Sequence, residues 1–201
     1  MTVSAPKPNL SFRPATPDDV PLLLPLIRSA YRGSSSRKGW TTEADLLDDK
    51  RIDAAGVLAK IQEPEGVILL VTDDSAPLPV TTTTNETEKR ETVSQPVACC
   101  EVLRKGDGNM AYFGLFAVNP DLQAAGIGRR VLEYAENFAR ERWAVRGMEM
   151  WVIWTREELI SWYERRGYRR TGKTAEFPYA ELVGGEALRD DLYFVVLEKD
   201  F

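Results

Sequence analysis

Val118-Asn119-Pro120-Asp121-Leu122-Gln123-Ala124-Ala125-Gly126-Ile127-Gly128-Arg129-Arg130 is the stretch on which the fold turns. Tyr112 to Val118 leads into it, an almost unbroken apolar run of the sort expected for a central strand buried on both faces. From Gly126 to about Arg142 a helix follows, with Ile127, Val131, Tyr134, Ala135 and Phe138 on one face. A buried strand, a short turn and a glycine-rich helix start bring unpaired backbone N–H groups and the positive end of a helix dipole to one point, which attracts phosphate. The glycines admit a pyrophosphate close to the backbone, and Arg129 and Arg130 add positive charge beside it. By itself the segment also reads as a plain helix N-terminus.

Outward from that centre the chain alternates strands and helices. Leu10 to Ala15 reads as a strand. Thr16, Pro17, Asp18 and Asp19 then start a helix that is expected to reach about Ala30, kinked at Pro25. Tyr31 to Asp49 is a Gly- and Ser-containing loop carrying Trp40, and Asp53 to Gln62 is a second amphipathic helix ended by Pro64 and Gly66. Strands are expected at Val67 to Val71, Pro96 to Leu103, Glu149 to Trp154 and Leu192 to Leu197, with a helix at Glu157 to Arg165 closed near Gly167. The polar, threonine-rich stretch between Asp73 and Gln95 reads as a flexible insertion at about 74–95 in one domain spanning 1–201. There are no internal repeats.

Composition narrows the function classes. The 201 residues are 43% hydrophobic and 28% charged, as in an ordinary globular domain, and no run approaches the roughly 20 apolar residues of a membrane span. The net charge of -5 lacks the basic footprint of a nucleic-acid binder, so neither nucleic acid nor membrane is expected as a partner. No secretory signal is legible at the N-terminus, and the cytoplasm is the expected location. Cys99 and Cys100 are adjacent in an apolar stretch and read as core thiols. With no histidine in the chain, chemistry falls to carboxylates, Tyr, Ser, Thr, Lys and backbone groups, and no metal site is expected.

Two segments together resemble a known family. Val118-Asn119-Pro120 followed by Gln123-Ala124-Ala125-Gly126-Ile127-Gly128-Arg129 is similar to the acyl-CoA signature of the GNAT superfamily of N-acyltransferases. Trp162-Tyr163-Glu164-Arg165-Arg166-Gly167-Tyr168 is similar to its second hallmark, a tyrosine on a short helix before a strand. The resemblance covers roughly Ala98 to Val196. It implies an α/β fold with a mixed, mostly antiparallel sheet, in which two central parallel strands, Tyr112 to Val118 and Glu149 to Trp154, splay into a V that takes acetyl-CoA as acyl donor. Backbone groups of Phe116, Ala117 and Val118 would pair with the pantetheine arm, and Gln123, Ala124, Ala125, Gly126, Ile127, Gly128, Arg129 and Arg130 would hold the pyrophosphate.

Tyr163, which alone reads as a core aromatic, would be the general acid for the departing thiolate. Arg156 stands where many members have an asparagine, so that cofactor contact is replaced by a guanidinium or lost. The central strand lacks the carboxylate that some members use as base, which leaves Glu101, Glu43 or a water chain. The acceptor, expected to be a small primary amine, would meet Tyr31, Trp40 and Glu43, with Asp45 as further negative charge for an ammonium. Trp40 also reads as a gap filler, and the acids as caps of a turn beginning at Thr41 or Thr42. Rival readings are a protein or peptide N-acetyltransferase and a CoA-binding sensor with little turnover. Members often dimerise through sheet edges, and a homodimer is the corresponding expectation.

Overall fold

The structure is a computed structural model describing residues 8–75, 78–84, 87–106, 108–123 and 125–201, with backbone alone described over 78–84 and 87–93. In chain order the elements are β1 (Leu10–Pro14), α1 (Val20–Tyr31), α2 (Gly33–Ser36), β2 (Leu47–Asp48), α3 (Ala54–Ile61), β3 (Gly66–Asp73), β4 (Leu78–Thr84) and β5 (Thr87–Val93). There follow β6 (Pro96–Arg104), β7 (Met110–Val118), α4 (Ile127–Trp143), β8 (Gly147–Ile153), α5 (Glu157–Glu164), β9 (Arg169–Glu176), β10 (Glu186–Ala187) and β11 (Tyr193–Asp200).

Seven strands form one sheet in the order β1-β3-β6-β7-β8-β11-β9, and β7–β8 is its one parallel pair. This is the mixed, mostly antiparallel α/β sheet that the resemblance implied. Two small antiparallel pairs, β2–β10 and β4–β5, stand beside it. The β4–β5 pair lies in the stretch read as an insertion, where β-branched Thr81 to Thr84 favour extended backbone. Ala76, Pro77, Asn85 and Glu86 of that stretch lie outside the described residues.

The sheet divides two apolar layers. On the α4 and α5 face, Val131, Leu132, Ala135, Ile160 and Tyr163 pack with Cys100, Val102, Phe113 and Met148. On the α1 and α3 face, Leu23, Ile27 and Val57 pack with Ile68, Leu70, Cys99, Leu115 and Ala117. Cys99 and Cys100 therefore point to opposite faces, as neighbours on a strand must, and burial pushes the Cys99 thiol up to about 12. On α4, Tyr134 leaves the predicted buried face and stacks on Phe12 of β1 at 4.1 Å, while Leu132 and Ala139 complete the buried stripe. At the first helix, Pro17–Asp19 forms a 3-10 turn before α1, which runs through Pro25 as one helix. Asp19 accepts both Arg13 guanidinium nitrogens at 2.7 Å and the Thr16 N–H at 2.8 Å, tying the end of β1 to this turn. No helix among the described residues is long and apolar enough to cross a membrane.

Candidate active site

The site grows from two irregularities in β7. The first is a bulge: Cys99 pairs with Ala117 and Glu101 with Gly114, so Leu115 and Phe116 together face Cys100. The extra residue reverses the strand's faces. Ala111 and Phe113 point to the α4 layer before it, whereas Leu115 and Ala117 point to the α1 layer after it. Leu115 sits at φ +43°, which a non-glycine residue adopts only under local constraint. The second irregularity is that the β7–β8 ladder ends after Met110–Gly147, Ala111–Met148 and Tyr112–Glu149. Past Tyr112 the strands part, and the β7 edge facing β8 carries backbone groups without a ladder partner. The expected V is present, and it makes β7 only partly buried along the faces of Tyr112, Gly114 and Phe116.

A cavity of about 520 Å³ fills the V. At one end are Gly126, Gly128, Gln123, Arg129, Trp162, Arg165 and Arg166. Gly126 adopts φ +78°, the left-handed conformation that lets the chain turn into α4. A Cβ on Gly128 would lie 3.4 Å from Phe116 and 3.6 Å from Trp162, so the glycine keeps backbone exposed to the cavity. The Arg166 guanidinium stacks 3.5 Å over the Trp162 ring and donates to the Trp162 carbonyl at 2.6 Å. Burial and the like charges of Arg165 and Arg129 hold its pKa below the usual value. Three guanidiniums crowd beside a helix N-terminus, with Glu133 3.7 Å from Arg129 as a carboxylate neighbour, and a diphosphate matches this cluster in charge and shape.

Not every residue of the predicted loop faces this cavity. Arg130 turns away and donates to the Pro8 carbonyl at 2.6 Å, because its position on α4 points towards the start of β1. Ile127 is buried in the α4 layer and the Ala117 side chain in the α1 layer, and neither is among the cavity-lining residues. Ala125 is exposed and Ala124 lies outside the described residues. Gln123 accepts from the Trp40 N–H at 3.0 Å, and the Trp40 ring lies 6.2 Å from Trp162. Trp40 thus belongs to the guanidinium end, where it was expected to face the acceptor.

Midway, α5 presents Tyr163, whose ring packs edge-on to Trp162 at 5.0 Å and to Tyr168 at 5.8 Å. The residue is buried and lines the cavity, and its hydroxyl has no hydrogen-bond partner among the described residues. Burial raises its pKa, which keeps the phenol protonated as a donor.

At the far end the chain brings together Tyr31, Glu43, Arg51, Tyr112, Trp151, Arg156 and Phe194. Glu43, 6% exposed, bridges two arginines: Arg32 at 2.6 Å and Arg156 at 2.5 Å. Burial alone would push its carboxyl up, but Arg156, Arg32 and Arg51 outweigh it and hold it below the usual carboxylate range. Glu43, expected as a base and as an acceptor contact, lines the cavity with each of its oxygens paired to an arginine. Arg156 also donates to the Thr41 hydroxyl at 2.8 Å, leaving its buried Nε unpaired. It is a cavity wall anchored by Glu43, with two of its nitrogens already engaged. Asp45 is exposed and paired with Arg37. Glu101, the other candidate base, binds Lys60 through both oxygens at 2.8 and 2.9 Å and is not among the cavity-lining residues. Arg51, Tyr112, Trp151 and Phe194 carried no sequence signal, because chain folding from four separate segments assembles them.

Residues 86–170 match the family model described as the acetyltransferase (GNAT) domain. Among curated proteins none matches the chain by sequence. Among solved structures, the ribosomal-protein-S18-alanine N-acetyltransferase of Escherichia coli is 14% identical, with TM-score 0.61 over 96% of this chain and 94% of its own. The PaiA N-acetyltransferase of Thermoplasma acidophilum, in complex with coenzyme A, is 15% identical, with TM-score 0.63 over 96% and 99%. The spermidine N-acetyltransferase of Vibrio cholerae, in complex with CoA and spermine, is 12% identical, with TM-score 0.61 over 95% of each chain. At these identities the likeness concerns the fold.

Proposed function

We propose, on the premise that this chain carries an acetyltransferase (GNAT) domain, that its cavity transfers an acetyl group from acetyl-CoA to a primary amine of a small molecule. The observation that carries this reading is the order of groups along one cavity. A guanidinium cluster at a helix start is followed by an unpaired strand edge, an unpartnered tyrosine hydroxyl and a walled far end. That order matches an acyl-CoA from its diphosphate to its thioester, with the acceptor beyond. The neighbours of this fold are named for acceptors as unlike as a ribosomal-protein alanine and spermidine, so fold likeness does not choose between them. The walls of the far end, Tyr31, Tyr112, Trp151, Arg156 and Phe194, support a small acceptor.

Arg129, Arg165 and Arg166 bind the diphosphate, with the backbone at Gly126 and Gly128. The open edge of β7 pairs with the extended arm, as an added strand would. A neutral amine attacks the acetyl carbon, so that an N–C bond forms and the C–S bond breaks. Backbone N–H groups of the β7 bulge face the oxygen on which negative charge develops, and such donors contribute about 3–4 kcal/mol each in water-excluded sites. Tyr163 gives its proton to the departing thiolate. The proton shed by the amine passes to water at the cavity mouth, from which the phenolate is restored. No carboxylate base is assigned, since Glu43 and Glu101 are held by cations.

Tyr163→Phe tests this reading. Thiol release from acetyl-CoA in the presence of amine acceptors should fall about 100-fold or more, in line with the loss of a general acid, while acetyl-CoA affinity changes less than about 2-fold. An unchanged rate would remove Tyr163 from the chemistry.

A further inference from the structure

The far end of the cavity holds one more cation than its carboxylates can serve. Arg32 spans Glu43 and Asp49, both at 2.6 Å, and Arg156 takes the remaining oxygen of Glu43 at 2.5 Å. Arg51 is left over. Its guanidinium forms no ion pair or hydrogen bond among the described residues, and its contact is with the face of the Tyr31 ring, 5.0 Å to the centroid. It lines the cavity beside Tyr31 and Tyr112. The backbone underneath is built to hold it there: Arg51 sits at φ +64°, with its N–H bound to Asp49 Oδ2 at 3.0 Å. A left-handed arginine is strained backbone, and such strain clusters at functional sites. Glu43 and Asp49 act on Arg51 from a distance, but Arg32 and Arg156 occupy their oxygens, so three guanidiniums share two carboxylates. The walls around it are rings: Tyr112 meets Trp151 edge-on at 5.7 Å, and Trp151 meets Phe194 at 6.1 Å.

We infer that the acceptor is an amino-carboxylate with an apolar or aromatic body, its carboxylate bound by the Arg51 fork and its body held by Tyr31, Tyr112, Trp151 and Phe194. A guanidinium offers two parallel N–H groups that match a carboxylate, and the acceptor's anion completes the charge balance that the chain leaves open. A polyamine fits poorly, because its ammonium groups would meet Arg51 with both nearby carboxylates already spent. The inference rests on the acyl-transfer reading above and adds the acceptor class to it.

The test is thiol release from acetyl-CoA with matched acceptors: phenylalanine against phenethylamine, tryptophan against tryptamine, and spermidine. Wild type should favour each amino acid over its decarboxylated partner by at least about 10-fold in kcat/KM, carried by KM. Arg51→Gly removes the fork at a backbone position that glycine adopts freely, so the fold is kept. It should erase the preference while acetyl-CoA affinity stays within about 2-fold. A wild-type preference for the amines or spermidine, or a preference that survives Arg51→Gly, overturns the inference. If no acceptor turns over, the CoA complex decides by thermal shift: stabilisation by N-acetylphenylalanine, absent with N-acetylphenethylamine and lost in Arg51→Gly, upholds it. Equal shifts, or none, overturn it. Failure of acetyl-CoA to bind would instead sink the acyl-transfer reading itself, which separates the two.

Discussion

Replacing Glu43 by glutamine should destabilise the protein more than any other single exchange of a charged side chain at the cavity. Its carboxylate is the shared counter-ion of Arg32 and Arg156, at 2.6 and 2.5 Å, and all three side chains are about nine-tenths or more buried. The glutamine oxygen can still accept from one arginine, but its amide NH2 faces the other, and the cluster's net charge rises by one. Breaking a buried pair by removing one partner costs about 3–5 kcal/mol, against a total stability of about 5–15 kcal/mol. For a chain of this length that corresponds to a fall in melting temperature of about 6–20 °C. Urea unfolding followed by far-UV circular dichroism reads it as a lower midpoint at unchanged slope. The pH dependence supplies a second check. Because the folded pKa of Glu43 is depressed, its contribution is complete above the unfolded carboxyl value of about 4.3 and is lost as pH falls through the lower folded value. The gap between wild type and variant should therefore hold from pH 7 to about 5 and close in stronger acid. A Glu43→Gln protein that unfolds within about 0.5 kcal/mol of wild type at pH 7 would refute the claim that this carboxylate holds the cavity wall together.

Two further outcomes follow from the scaffold. Asp19→Ala, which loses the Arg13 fork and the Thr16 N–H contact, should cost about 1–2 kcal/mol at pH 7. Arg13 holds Asp19 at about 2, so that difference should persist down to about pH 4 and vanish as pH falls towards 2, as urea midpoints across pH will show. Cys99 and Cys100, buried on opposite faces with their thiols pushed up, should react with a thiol reagent at pH 8 only after denaturation. Rapid modification of the folded protein would contradict that placement.

Much of the guanidinium end of the cavity was legible because its signal is local. The turn from Val118 to Gly128 and the tyrosine on α5 each lie within one short stretch, and the glycines mark where backbone must be reached. The bulge at Leu115 was not legible, since Tyr112 to Val118 is apolar on both parities and a one-residue slip leaves no mark in such a run. Strand β9 was expected only through the resemblance, as the strand after the Tyr163 helix, and without bounds: Arg169–Glu176 is nearly all polar and mostly exposed at a sheet edge, so no alternation betrays it. Charge was the least legible property. Glu43 and Trp40 are close in sequence and read as an acceptor pocket for a cation. The fold then delivers Arg156 from the start of α5 and Arg32 from the end of α1 to neutralise the acid, and Gln123 draws Trp40 to the other end. Arg51 escaped notice because a single arginine in a loop carries no pattern, and only the pairing of its neighbours leaves it in excess.

The most direct measurement is calorimetric titration of wild type and Gly128→Leu with acetyl-CoA. Leucine is the better helix former, so folding survives, but its side chain must enter the space between Phe116, Trp162 and the cavity. The account predicts one-to-one binding by wild type and an affinity at least about 10-fold weaker in the variant, with no loss of melting temperature. Absence of binding by wild type, or equal affinity in both proteins, would contradict the assignment of this cavity to an acyl-CoA.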